Sequence, residues 1–237
     1  MTQLEARRLT KTFRSVRAVT ELSFTAQAGL VTGFLGPNGS GKTTTLKMIL
    51  GLVRPDSGQA LIDGRPYTEL RSPRRTIGAT LETTGFHPGR TGRNHLRVIA
   101  DSAGISRTRV DEVLDQVQLT DAAGRRVRGY SLGMKQRLGL AAALLGDPEV
   151  LVLDEPVNGL DPAGIAWLRR LLREQAARGR IVVVASHLLS EIEQTVDHVV
   201  IVSGGELRFD GRLDELGAGD GSLEAGFLRL TGDEVAA

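Results

Sequence analysis

The stretch GPNGSGKTTT, residues 36–45, sets three glycines beside one lysine and a row of threonines, between the apolar run VTGFL and LKMILGLV. Gly36 to Thr43 fits the pattern G-x-x-x-x-G-K-[ST] in the strand-then-helix context that the pattern requires. Without Cβ atoms, Gly36, Gly39 and Gly41 let backbone N–H groups curl around a polyphosphate. A helix opening at this point aims its unsatisfied N–H groups and its dipole at the same anion. Lys42 adds a point charge for the β- and γ-phosphates, and the Thr43 hydroxyl is a ligand for Mg²⁺. Pro37, Asn38, Ser40 and Thr44 complete a loop read as a nucleotide site.

A second apolar run, VLVL at 150–153, ends in Asp154-Glu155. Two acids there could simply cap a strand where it meets solvent. Paired with a phosphate loop, the first is suited to holding Mg²⁺ and the second to polarising an attacking water as general base. A third run, IVVVAS at 181–186, leads into His187. In open α/β sheets ligands gather at the carboxyl ends of strands, so all three runs deliver polar side chains to one edge.

The elements that must position these residues follow from the pattern of apolar positions. The runs at 30–35, 150–153 and 181–186 are short, branched and uninterrupted, as buried parallel strands are. Segments 22–29 and 58–64 alternate and are rich in turn residues, which predicts antiparallel strands laid against that core. Asp161-Pro162 is a helix start, Ile165, Leu168, Leu171 and Leu172 recur at helical spacing, and Gly179 supplies a stop. Val110, Val113, Leu114 and Val117 form the stripe of an amphipathic helix, and residues 91–146 read as an almost wholly helical insert in an α/β fold with a mostly parallel sheet.

Composition narrows the function classes. With 237 residues and 41% hydrophobic side chains the chain is long enough for a real core. The net charge of +2 and the short basic clusters Arg74-Arg75 and Arg125-Arg126 argue against direct nucleic-acid binding. The absence of cysteine removes disulfides and thiolate metal sites. No apolar run approaches the roughly 20 residues that span a bilayer, and the N-terminus has no signal-type stretch. A soluble, cytosolic chain is expected, with any membrane role carried through a partner.

The stretch YSLGMKQRL, 130–138, joins these motifs. Ser131 can cap a helix starting near Gly133, which makes a second anion-binding helix start. With it, the chain resembles the nucleotide-binding subunit of an ATP-binding-cassette (ABC) transporter over essentially its whole length. The resemblance implies a P-loop NTPase core with an N-terminal antiparallel β subdomain and an inserted helical subdomain. It implies one domain over 1–237, with the insert at about 91–146 and a short C-terminal tail at about 212–237. It implies ATP and Mg²⁺ as substrate and cofactor, and two copies packed head to tail. Each ATP would then lie between the phosphate loop of one copy and Ser131 and Gly133 of the other.

By the same resemblance Phe13 stacks on adenine, Glu155 is the catalytic acid, and Asp161 of NGLDP crosses to the partner copy. His187 and Lys42 face the γ-phosphate, and Thr43, Asp154 and Glu82 serve the metal. Leu132 and Met134 replace the family's Gly and Gln, and Glu82 replaces its usual Gln. Glu82 and the YSLGM form are similar to ATPase subunits of bacterial drug- and antibiotic-efflux exporters of the bacitracin-resistance type. The implied partner is a multi-spanning permease exporting a drug, antibiotic or lipid-like substrate, with this chain held through it at the cytoplasmic face of the membrane. A soluble ABC-type ATPase acting on ribosomes, DNA or cluster assembly is the alternative.

Overall fold

The computed structural model describes residues 3–81, 85–217 and 222–232. In chain order the elements begin with β1 (Gln3–Phe13), β2 (Val16–Gln27), β3 (Val31–Leu35), α1 (Lys42–Ile49), β4 (Ser57–Ile62), α2 (Pro73–Thr76) and β5 (Ile77–Thr80). There follow α3 (Gly92–Ser102), α4 (Arg107–Gln116), α5 (Leu132–Leu144), β6 (Val150–Asp154), α6 (Pro162–Ala177) and β7 (Ile181–Ser186). The chain closes with α7 (Leu189–Ile192), β8 (His198–Ser203), β9 (Glu206–Arg212), α8 (Leu213–Leu216) and α9 (Leu223–Thr231). It divides into two compact units, one of residues 1–71 with 169–237 and one of residues 72–168.

The first unit carries two sheets. In one, β1 lies between β2 and β4, all antiparallel. Alternate residues Leu4 and Ala6 of β1 and Leu22, Phe24 and Ala26 of β2 are buried, as period-2 strands require when one face is covered. In the other, β3 pairs in parallel with β7 on one side and β8 on the other, and β9 returns antiparallel to β8. Every residue of β3 and β7 is buried, which accounts for their unbroken apolar sequence. Phe24 and Phe34 stack with ring centroids 5.1 Å apart, joining the two sheets. The register sets Leu35 opposite Ser186, so the segments after β3 and β7 leave from the same end of the sheet.

The second unit pairs β5 with β6 in parallel and surrounds them with helices. Thr91, Ser106 and Ser131 cap α3, α4 and α5, each accepting a backbone N–H two or three residues on. Arg109 crosses from α4 to the end of α5, donating to the Leu144 carbonyl at 3.1 Å and to Asp147 at 3.3 Å. Residues 117–131, expected to be helical, instead form turns and a short 3₁₀ segment. They satisfy their backbone against the segment before α3, with the Val127 N–H on the Arg90 carbonyl at 2.9 Å.

Gly78 of β5 packs so closely on α5 that a Cβ there would stand 2.0 Å from the Ala143 carbonyl oxygen. Gly78→Ala is therefore expected to lower the unfolding free energy by about 1–3 kcal/mol, the usual penalty of overpacking. Urea denaturation with an unchanged m-value checks it, and a midpoint equal to wild type would contradict the packing.

Candidate functional site

The phosphate loop in the first unit has its shape imposed by neighbouring backbone. A Cβ on Gly36 would stand 2.1 Å from the Val202 carbonyl oxygen of β8, and one on Gly41 2.3 Å from the Ala18 carbonyl oxygen of β2. Gly41 also has φ +99°, a left-handed conformation that disfavours any side chain. The first turn of α1 has no side-chain cap and no acidic residue, so its N–H groups are open to an anion. Lys42, 6% exposed, turns its ammonium back onto the loop, donating to the Gly36 carbonyl at 2.5 Å and the Pro37 carbonyl at 3.1 Å. The Ser40 hydroxyl is buried and has no hydrogen-bond partner among the described residues. An uncapped helix start, a lysine and an orphaned hydroxyl around a side-chain-free cradle fit a polyphosphate.

His187 follows Ser186, whose hydroxyl accepts the Leu188 N–H at 3.1 Å and meets Glu191 Oε2 at 3.1 Å. These bonds shape the turn after β7, at the sheet end from which the phosphate loop also leaves. Phe13 ends β1 beside a tight hairpin in which Arg14 has φ +53°. Its ring is 46% exposed, a bare apolar face of the kind that stacks on a base. The ring lies 5.4 Å from the Lys11 ammonium, which pairs with Asp56 at 2.7 Å. Asp56 also accepts the Thr12 N–H at 2.7 Å, and these two donors hold its carboxyl below the usual range. Sequence reasoning missed this clamp on the end of β1, since Lys11 and Asp56 stand 45 positions apart.

In the second unit β6 ends in Asp154, 1% exposed, followed by Glu155, 8% exposed. Glu155 has φ +49°, an uncommon backbone state for a residue with a side chain and one found often at functional sites. Its carbonyl accepts the Asn158 N–H at 3.2 Å and the Gln136 amide of α5 at 3.4 Å. Asp161 caps α6, accepting the Gly164 N–H at 2.7 Å, as its place before Pro162 predicts. Ser131 caps α5 by accepting the Met134 N–H at 3.2 Å. Tyr130 beside it donates to the Ala122 carbonyl at 2.7 Å, and burial pushes its phenol pKa up. Gly133 lies against the loop before α6, where a Cβ would meet the Gly159 carbonyl oxygen at 2.9 Å. In this unit the loop between β6 and α6 packs on the first turns of α5, through Gly159 against Leu132 and Gly133 and through the Gln136 amide on the Glu155 carbonyl. Glu82 lies outside the described residues.

Among the described residues no group of three or more His, Asp or Glu could cage a metal. Mg²⁺ in nucleotide sites takes most of its ligands from phosphate oxygens and water and needs no cage of carboxylates.

A glycine cradle at a helix start, on the carboxyl edge of a parallel sheet, defines a phosphate-loop nucleotide-binding protein of the α/β class. Residues 19–158 match the ABC transporter family. The chain is 46% identical over 209 residues to the uncharacterized ABC transporter ATP-binding protein YhcH of Bacillus subtilis, covering 87% of this chain and 68% of that one. It is also 46% identical over 211 residues to the bacitracin transport ATP-binding protein BcrA of Bacillus licheniformis, covering 88% and 69%. A solved ATP-binding subunit of an ABC transporter superposes with a TM-score of 0.86 at 28% identity, over 96% of this chain and 98% of that one. The chain belongs to the ABC transporter family, as an ATP-binding and ATP-hydrolysing subunit that works with Mg²⁺.

Phe13→Ala is expected to weaken ATP binding roughly tenfold, the usual worth of one aromatic–base stack. Inorganic triphosphate, which has no base, should bind both proteins equally. Calorimetric titration of the two ligands checks this, and equal loss for both would remove Phe13 from the adenine contact.

Proposed function

We propose that two copies of this chain, held at the cytoplasmic face of a membrane, close head to tail around two Mg-ATP and drive a multi-spanning permease. The transported substrate is a drug, antibiotic or lipid-like molecule, moved outward. The two units together act as one nucleotide-binding domain over residues 1–237. The observation that carries the two-copy reading is that one chain offers two glycine-bearing helix starts, at α1 and α5, and one triphosphate needs a single cradle of its own. The kinship with a bacitracin transport protein favours transport over a soluble role and supplies the substrate class. No described helix is long and apolar enough to cross a membrane.

In this reading each residue acts through charge and placement. Backbone N–H groups of residues 36–44 and the Lys42 ammonium take the β- and γ-phosphate oxygens, while Phe13 stacks on adenine. Thr43, Asp154 and Glu82 would serve Mg²⁺, which would neutralise charge on the phosphate oxygens. Glu155 accepts a proton from the attacking water as the bond between the γ-phosphorus and the ADP oxygen breaks. His187, together with Ser131 and Gly133 of the other copy, steadies the charge on the transferring phosphoryl group, and Asp161 reaches across to that copy. Positioning and electrostatics supply most of the rate in such a reaction. Loss of the γ-phosphate removes the anion that both copies grip, and the pair opens.

Glu155→Gln keeps the shape of the side chain and removes the base. Turnover is expected to fall at least about 100-fold, within the range general bases contribute, with ATP affinity preserved. Phosphate-release kinetics beside equilibrium ATP binding checks it. Hydrolysis near the wild-type rate would show that Glu155 is not the base. Affinity capture of the tagged chain from detergent-solubilised native membranes tests the partner: a stoichiometric multi-spanning protein is expected, and recovery of ribosomal or DNA-associated proteins alone would overturn transport.

A further inference from the structure

We infer that Arg137 is a positioning residue that locks the helix carrying Ser131 and Gly133 to the segment carrying Glu155, and so couples the two ATP sites of the pair. The inference rests on the two-copy reading above and names a device within it.

Arg137 lies on α5, six residues past the Ser131 cap. Its guanidinium donates to Gln118 Oε1 at 2.6 Å and to the Val117 carbonyl at 3.3 Å, both at the end of α4. The same group lies 4.5 Å from the centroid of the Trp167 ring on α6, well inside cation–π range. Trp167 is the only tryptophan in the chain and is 7% exposed. Among the described residues Arg137 has no carboxylate within ion-pair distance, so the ring face and two neutral oxygens carry its half-buried charge. An apolar side chain would fill this place without desolvating a cation. What arginine adds is a planar, directional group that fixes three helices at once.

The link does not stand alone. Between Glu155 and Trp167 the chain meets α5 at three levels. Gln136 donates to the Glu155 carbonyl at 3.4 Å. Gly159 lies so near Leu132 that a Cβ there would stand 2.4 Å from its Cγ. Arg137 covers Trp167 at 4.5 Å. The segment holding the chain's own general base and the helix start offered to the other copy's ATP therefore move as one body. A displacement of Glu155 is passed through these ties to the start of α5. Arg137 is the outermost of the three ties and touches none of the reacting groups.

The test uses the full chain with Arg137→Met, which keeps length and loses charge, and Arg137→Lys, which keeps charge and loses the planar fork. Steady-state ATP hydrolysis is measured against ATP concentration, with equilibrium ATP binding and Trp167 emission alongside. Wild type is expected to be sigmoidal, with a Hill coefficient of about 1.5–2 for two linked sites. Arg137→Met is expected to keep ATP affinity within about twofold while the Hill coefficient falls to about 1 and kcat falls roughly tenfold, a coupling of ordinary size. The Trp167 emission change that ATP produces in wild type should be lost in both variants. If Met at this position does not fold, Lys alone decides, since it should lower the Hill coefficient without restoring the emission change.

A variant with wild-type cooperativity, rate and emission response overturns the inference and leaves the two-copy reading standing. A variant that loses ATP affinity in step with kcat overturns it too, because Arg137 would then serve the fold in general. Hyperbolic kinetics in wild type would overturn the inference alone, since two copies can hold uncoupled sites.

Discussion

Two carbonyl oxygens stand where side chains would have to be, and the phosphate loop depends on both. The Val202 oxygen of β8 closes the space at Gly36, and the Ala18 oxygen of β2 closes it at Gly41. Each contact ties the loop to a different sheet of the same unit, so the cradle is set before any ligand arrives. Preorganisation of this kind matters because binding an anion through backbone N–H groups repays desolvation only if those groups already converge. Lys42 is held by the loop's own carbonyls at 2.5 and 3.1 Å, which keeps a buried ammonium satisfied beside the place where phosphate oxygens would replace them.

In the second unit the corresponding constraint is the backbone of Glu155. A left-handed glutamate is unfavourable unless its surroundings over-determine it, and here two donors fasten its carbonyl from the Asn158 backbone and the Gln136 side chain. The sharp turn lets β6 end in one carboxylate and present the next in a different direction. A glycine would adopt the turn more readily, but glycine carries no base. The proposed role of Glu155 gives that strain a use.

Much of this was legible in the sequence, for identifiable reasons. Glycine spacing around Lys42, unbroken apolar runs before residues 36, 154 and 187, and caps at Ser131 and Asp161 are local signals, and all appear as read. The family followed from motifs whose residue types are dictated by phosphate chemistry. Long-range features were not legible. The β8–β9 hairpin was passed over, and the turns of 117–131 read as helix because their partner segment before α3 cannot be seen locally. Arg137 over Trp167 and Asp56 beneath Lys11 join residues 30 and 45 positions apart, a separation no periodicity reports.

The central claim is that a complete site needs two copies of the chain. Specific ATPase activity of the purified wild-type chain, measured with Mg²⁺ at saturating ATP over a hundredfold range of protein concentration, tests it most directly. The account predicts that activity per chain rises with concentration and then levels off as pairs form. Activity per chain that stays flat and substantial down to the lowest concentration, with the chain monomeric throughout, would show that one copy suffices and would contradict the account.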